Sequence, residues 1–281
     1  MNILKVIGDF NIRHANKRNE KASGRGVAAV LDENTDFLVR EAYNATRTNI
    51  IYSLGSERGC KKIMITSASP HEGKTTTSLN VAITFAQTQA KVLIIDADLR
   101  KPRVNRYLGL AREDGLSDLL CGLIDIDKAI KHSDKYNVDC ITSGHIPPNP
   151  TELLSSSEMG GLLEKLGEKY DYIFIDTPPV TVVTEAAAMA KYVSGVVFVV
   201  RQNSTITESL NRARTSIQMA NAKILGYILN DVSATAYSYG GYGRYGNTKR
   251  GYGYGYGYGY GYSDKEKEEK SKKTSAKKEK K

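Results

Sequence analysis

The chain has 281 residues, a formal net charge of +9, 18 Tyr, 5 Phe and no Trp, and 40% of its residues are apolar. That apolar share supports a sizeable core and excludes a chain disordered throughout, and the length allows one or two domains of about 150 residues. No apolar run approaches the ~18 residues of a bilayer span, and MNILKVIGDFNIRHANKR has no apolar core of a secretory signal. The three scattered cysteines, Cys60, Cys121 and Cys140, form neither a ligand pair nor an even framework. A reducing, cytoplasmic setting is therefore expected.

Residues 1–34 are polar and mixed in charge, and read as an extended or partly ordered arm. From Thr35 to Leu54 the apolar positions Phe37, Leu38, Ala42, Ala45, Ile50 and Leu54 recur at helical spacing. Thr35 or Asp36 is placed to cap that helix, and Gly55 and Gly59 to end it. Six short apolar runs follow, at 61–67, 91–98, 138–144, 170–176, 195–200 and 223–230. They alternate with helical segments at about 74–89, 115–121, 151–168, 184–191 and 206–221. Strands rich in Ile and Val, without polar alternation, suit a parallel sheet buried on both faces. The alternation predicts an α/β domain over 35–236 with a doubly wound, mostly parallel sheet. Ligands bind such sheets at the carboxyl ends of the strands.

At the end of the first of these strands, KKIMITS leads into Ala68-Ser69-Pro70-His71-Glu72-Gly73-Lys74-Thr75 and then a helix. This is a P-loop with Ala68 in place of the usual first Gly. Loop amides and the helix N-terminus would cradle phosphates. Lys74 would reach the β- and γ-phosphates, and the Thr75 hydroxyl would ligate Mg²⁺. Glu72, close to the anion, is compatible if its side chain points outward. The plainer alternative is a chance Gly-Lys-Thr at a strand–helix turn.

Two more strands end in acids. IIDADLRKP carries Asp96 and Asp98, two apart and so directed to one side of an extended chain, and YIFIDTPP ends in Asp176. Mg²⁺ takes one or two carboxylates with water and phosphate oxygens, which assigns Asp98 and Asp176 to its shell. Asp96 is the candidate to accept a proton from an attacking hydroxyl. Arg100, with Lys101 and Arg103, is placed to neutralise phosphate charge. Taken singly, each acid could instead be a solvated strand terminus.

The charge and the tyrosines sit elsewhere. Residues 237–281 hold 12 Lys and Arg against 5 Asp and Glu, a net of +7, so the rest of the chain carries only +2. Residues 237–262 hold 10 Tyr and 10 Gly: Tyr237, Tyr239, Tyr242, Tyr245, Tyr252, Tyr254, Tyr256, Tyr258, Tyr260 and Tyr262. Residues 263–281 have no apolar residue larger than Ala. Such a segment buries too little to offset its ordering entropy and is expected to be a disordered tail.

SASPHEGKTTT, VLIIDADLRKP, IPPNPTELL and YDYIFIDTPP together resemble the bacterial tyrosine kinases, over about residues 35–235 and the tail. The likeness is to the Gram-positive, cytoplasmic type found with capsule or exopolysaccharide synthesis. It implies a P-loop NTPase of the MinD/ParA-like type, with ATP and Mg²⁺ as cofactors and Ala68 to Thr76, including Thr76, at the nucleotide. It implies that Asp96, Asp98 and Asp176 fill three acidic motif positions, and that tail tyrosines are phosphorylated in trans. It also implies a ring-like homo-oligomer assembled through Glu-x-x-Arg-x-x-Arg on the N-terminal helix. Here that stretch runs Glu41, Asn44, Arg47, and Asn44 loses a charge and a planar fork. His71 stands where the family carries Gly, which is tolerable if φ there need not be positive.

The resemblance implies two protein partners, a membrane-spanning polysaccharide co-polymerase-type activator that recruits the chain to the inner face of the membrane, and a tyrosine phosphatase. Asn230 resembles a base-contacting Asn of this P-loop class, with a turn residue as the alternative. Two other functions compete. One is a MinD/ParA-like ATPase switch without kinase activity, against which stand the Tyr cluster and Ser69, where those proteins carry a signature Lys. The other is an RNA-binding tail, but residues 251–262 contain no Lys or Arg, and no nucleic-acid partner is expected.

Overall fold

Strand β2 (Lys61–Ser67) is followed through helix α2 (Lys74–Ala86) by β3 (Val92–Asp96), and all five β3 residues are buried. Their Val- and Ile-rich sequences have no polar side to turn to solvent, so both faces must be covered. The computed structural model describes residues 3–8, 30–56 and 58–232, all of them within one unit, Met1–Gly241. The tail expected at 237–281, with its ten tyrosines, lies outside the described residues.

The remaining elements are β1 (Ile3–Gly8), α1 (Phe37–Leu54), α3 (Val104–Leu108), α4 (Leu116–Leu120), α5 (Ile126–Ala129), β4 (Ile130–Ser133), β5 (Val138–Ile141), α6 (Pro150–Ser155), α7 (Ser157–Gly167), β6 (Tyr172–Asp176), α8 (Glu185–Met189), β7 (Gly195–Arg201), α9 (Thr207–Met219) and β8 (Ile224–Val232). Among the described residues eight strands form one sheet in the order β1-β8-β7-β2-β6-β3-β5-β4. Every pair is parallel except β4 with β5. The doubly wound, mostly parallel sheet predicted from the sequence is therefore present.

Alternate strand residues serve the two faces. Ile63, Ile65, Ile94, Phe174, Val197 and Val199 pack with α1 and α2 on one side. Met64, Leu93, Ile95, Ile173, Ile175 and Phe198 pack with α7, α8 and α9 on the other. Phe85 of α2 sits against the rings of Tyr172 and Phe174, with centroids 4.5 and 5.1 Å away.

Four local expectations are revised. Part of the N-terminal arm, Ile3–Gly8, is an edge strand parallel to β8. In α1 the buried stripe is Val39, Ala42, Tyr43, Thr46, Ile50 and Leu54, whereas Phe37 and Leu38 are 65% and 51% exposed. The polar Thr46 fits because its hydroxyl donates to the Ala42 carbonyl, 2.8 Å away. The helix expected at 151–168 is two helices, broken at Ser156 (ψ 160°), whose hydroxyl accepts from Met159 N–H to cap α7. The short α3, α5 and β4 are too brief to produce a periodic signal. At the start of α1, Asp36 is the cap: its carboxylate accepts from Leu38 N–H at 2.8 Å.

Candidate active site

The carboxyl ends of β2, β3 and β6 meet at one edge. Asp176 of β6 is in register with Ile65 of β2 on one side and with Asp96 of β3 on the other. The expected convergence of the P-loop and the acidic strand ends is thus built by strand pairing.

The loop from Ala68 to Gly73 joins β2 to α2. Ala68 is fully buried and is not among the residues with positive φ, so a side chain fits where the common pattern has Gly. Its carbonyl accepts from the Thr181 amide and hydroxyl at 3.3 and 2.6 Å. Ser69 and Thr76 are partly covered and Pro70 is exposed. Gly73 has φ +88°, and a Cβ there would lie 2.2 Å from Asn230 Nδ2, so this position needs glycine.

Two expectations about the loop are corrected. His71 has φ +66°, so it occupies the left-handed region after all. His is tolerated there more readily than most residues, and its carbonyl accepts from Arg201 Nη1 at 3.2 Å. Glu72 does not point outward. It is 1% exposed, and one carboxylate oxygen accepts from Ser69 N–H at 2.9 Å while the other accepts from the Thr205 hydroxyl. The negative side chain holds the loop from behind, with its charge met by donors.

Lys74 opens α2, and its ammonium lies 2.9 Å from Asp98 and 4.0 Å from Asp176. Burial works against its charge, but Asp176 and Asp98 outweigh that and raise its pKa. Thr75, beside it, is buried. Asp98 also accepts from Lys101 N–H at 3.0 Å.

Asp176 is completely buried, and neither of its carboxylate oxygens has a hydrogen-bond partner. Burial pushes its pKa up to about 6, with Lys74 opposing. Two orphaned, buried carboxylate oxygens beside a phosphate loop fit a divalent cation. Among the described residues no three or more His, Cys, Asp or Glu form a complete protein cage for a metal. Mg²⁺ needs none, because it keeps water and phosphate oxygens in its shell.

Asp96 and Asp98 do not project side by side as expected. Strand β3 stops at Asp96 and the chain turns. One Asp96 oxygen accepts from Asp98 N–H at 3.2 Å, and the other from Arg103 and Val104 N–H at 3.1 and 3.0 Å, at the start of α3. Asp96 is fully buried, and burial followed by repulsion from Asp176 pushes its pKa up to about 7. Arg100 reaches Glu185 at 2.7 Å, and the second Glu185 oxygen is buried without a partner.

Asn230 is a strand residue of β8, not a turn residue, and its amide donates to the Glu72 carbonyl at 3.1 Å. On α1, Asn44 donates to Glu41 at 3.0 Å, and Arg47 turns onto the Thr84 carbonyl of α2. Three residues here were invisible to sequence reasoning: Thr205, Arg201 and Glu185. Thr205 accepts from Arg201 N–H at 2.8 Å, and the Arg201 guanidinium lies 2.6 Å from Asp231. Arg201 ends β7, and the rule locating sites at carboxyl ends of strands was the signal that could have found it. A separate cavity of about 460 Å³, lined partly by Val92, His132, Asp139 and Tyr170, opens at the amino ends of the strands, away from this edge.

Residues 60–224 match the family described as an AAA domain. The chain is 39% identical over 220 residues to the tyrosine-protein kinase YwqD of Bacillus subtilis, covering 78% of this chain and 92% of that one. The chain belongs to the bacterial tyrosine kinase family. It is 34% identical over 218 residues to a tyrosine-protein kinase in the cps region of Klebsiella pneumoniae, covering 78% of this chain but only 30% of that longer one. The kinase domain of Escherichia coli tyrosine kinase ETK superposes with a TM-score of 0.75 at 30% identity, covering 91% of this chain and 95% of that one. MinD of Pyrococcus horikoshii, solved with Mg-ADP, shares the P-loop fold at a TM-score of 0.53 and 23% identity, covering 63% and 75% of the two chains. This bacterial tyrosine kinase thus carries its activity on a P-loop NTPase sheet.

Proposed function

We propose that this kinase transfers the γ-phosphoryl group of ATP to tyrosines of its own C-terminal tail, in trans within a ring-like homo-oligomer, and thereby regulates capsular or extracellular polysaccharide synthesis. The observation that carries the site is Lys74, held between Asp98 and the orphaned carboxylate of Asp176 at the N-terminus of α2. That arrangement suits a nucleotide phosphate with its cation. Lys74 would leave Asp98 for the β- and γ-phosphates, and Thr75, Asp98 and Asp176 would hold Mg²⁺. The cation supplies charge neutralisation at the phosphates. Amides of Ser69 to Thr76 would cradle the phosphates, with Asn230 near the base.

Asp96 is the proposed proton acceptor for the incoming tyrosine. Its raised pKa narrows the gap to a phenol near ~10, which favours proton transfer late in the reaction. The three backbone donors on its carboxylate mean that this role needs the start of α3 to shift. Arg100 would exchange Glu185 for phosphate charge.

Glu41, Asn44 and Arg47 are the proposed assembly contacts. An activator of the polysaccharide co-polymerase type would recruit the chain to the inner face of the membrane, and a tyrosine phosphatase would reset it. Among the described residues no helix is long and apolar enough to cross a membrane. The cps-region relative supports the polysaccharide assignment.

The test incubates the full chain with ATP, Mg²⁺ and the activator's cytoplasmic segment and probes for phosphotyrosine. Lys74→Met should abolish the signal, and deletion of 237–262 should remove most of it. A signal that survives Lys74→Met defeats the site assignment. Phosphate release without phosphotyrosine turns the reading to an ATPase switch.

A further inference from the structure

The kinase has eight tyrosines before the tail, at positions 43, 52, 107, 136, 170, 172, 192 and 227. Tyr43 and Tyr227 are buried, and Tyr107, Tyr136, Tyr170, Tyr172 and Tyr192 are partly covered. Several of these hydroxyls are engaged. Tyr170 donates to Asp139 at 2.7 Å, and Tyr192 donates to the Ser155 and Ser156 carbonyls at 3.1 and 2.8 Å. Tyr52 differs from all of them, with 79% of its surface exposed.

Its setting is suited to release. Tyr52 lies in the last turn of α1, which ends at Leu54 with Gly55 at φ +78°. Gly55 and Gly59 both have open space around them. Peeling this turn into an extended peptide gives up the buried Leu54 contact and the Ser53 hydroxyl bond to the Asn49 carbonyl, and leaves the deeper stripe in place. The local sequence repeats one in the tail: Tyr52-Ser53-Leu54-Gly55 matches Tyr237-Ser238-Tyr239-Gly240 at three of four positions. An active site that accepts the tail peptide would meet nearly the same side chains here.

We propose that Tyr52 is a phosphoacceptor outside the tail and that its modification disengages the assembly face of α1. This rests on the kinase reading above. The phenolic oxygen of Tyr52 attacks the γ-phosphorus. A new O–P bond forms, the bond from that phosphorus to the β–γ bridging oxygen breaks, and ADP leaves with the electron pair. The phenolic proton passes to the acceptor carboxylate or to water. Phosphotyrosine adds about −1.5 to −2 charge at pH 7. At residue 52 that charge meets the negative end of the helix dipole, and the last turn holds no basic residue to offset it. Successive steps of three and four residues put Tyr52 on the same side of α1 as Glu41 and Leu38, with Glu41 about 16 Å further toward the N-terminus, and its neighbour Ile51 is exposed and apolar. Modification would place a dianion at the C-terminal end of that face, next to the exposed, apolar Ile51.

The test uses the full-length chain with its ten tail tyrosines changed to Phe, incubated with ATP, Mg²⁺ and the activator's cytoplasmic segment, and read by tandem mass spectrometry and sedimentation velocity. Phosphate should appear on residue 52 and vanish with added Tyr52→Phe or with Lys74→Met. The phosphorylated fraction should sediment more slowly than the unmodified one. Absence of phosphate at residue 52, while the unaltered chain phosphorylates its tail, overturns the proposal. Phosphate at residue 52 with unchanged sedimentation overturns the disengagement. Absence of phosphotyrosine from both chains overturns the kinase reading, and this proposal with it.

Discussion

His71 shows how one residue can carry a cost that its neighbours sustain. An L-residue in the left-handed region loses about 1–2 kcal/mol, and here Arg201 holds the carbonyl of that residue. His71→Gly should relieve the strain while adding chain entropy, for a net gain of about 0.5–1 kcal/mol, visible as a rise in Tm. A fall in Tm would mean that the imidazole contributes more than its backbone costs. The buried acids give a second residue-scale expectation. Asp96 and Asp176 have pKa values pushed up to about 7 and about 6 from a starting value of 3.8. The folded state therefore holds protons that the unfolded chain has released, so this pair lowers stability as pH rises from about 4 to about 7. Urea unfolding without Mg²⁺ should show that decline, and Asp176→Asn should flatten it. A decline equally steep in the variant would remove Asp176 as its source.

At the scale of elements, the break between α6 and α7 is set by Ser156, whose hydroxyl accepts from Met159 N–H at 3.3 Å. Tyr192 bonds to the carbonyls on either side of the break. Gly160 is required just beyond it, because a Cβ there would lie 2.8 Å from the Tyr192 ring. Ser156→Ala should cost about 1 kcal/mol through the lost cap, measured by denaturant unfolding, and an unchanged midpoint would assign the break to Tyr192 alone. Residues 151–168 read as one helix because Leu153 and Leu154 are followed by Met159, Leu162, Leu163 and Leu166 at nearly helical spacing, and the apolar gap over Ser155–Glu158 is short enough to pass as one polar turn rather than a cap. Phe37 and Leu38 mislead for a related reason. They match the helical period, but the side chains that meet β-sheet residues are those of the Val39–Leu54 stripe, and that choice is made by packing.

For the whole molecule, the charge is divided between a body of net +2 and a tail of net +7. Four or five phosphotyrosines of about −1.5 to −2 each would cancel the tail's charge. Neighbouring tyrosines in the Gly-Tyr run lie about 7 Å apart when extended, inside the ~8 Å Debye length at physiological salt. Each addition should oppose the next, so intact-mass spectrometry should show a ladder of partly modified chains. Only unmodified and fully modified species would sink that expectation.

The primary structure alone determined the sheet class, the edge that carries the chemistry, the P-loop with its lysine, and the segregation of Tyr and charge into the tail. Each of these is written in contiguous residues: alternating apolar runs, a strand–loop–helix motif, and composition. The tertiary structure alone decided that Asp96 turns to the start of α3, that Lys74 rests on Asp98, and that Glu72 is clasped by Thr205, 133 residues away. Such pairings depend on which strand lies beside which. Sheet order joins β2 to β6 and β7 across more than 100 residues, and no local pattern states what a side chain will meet there.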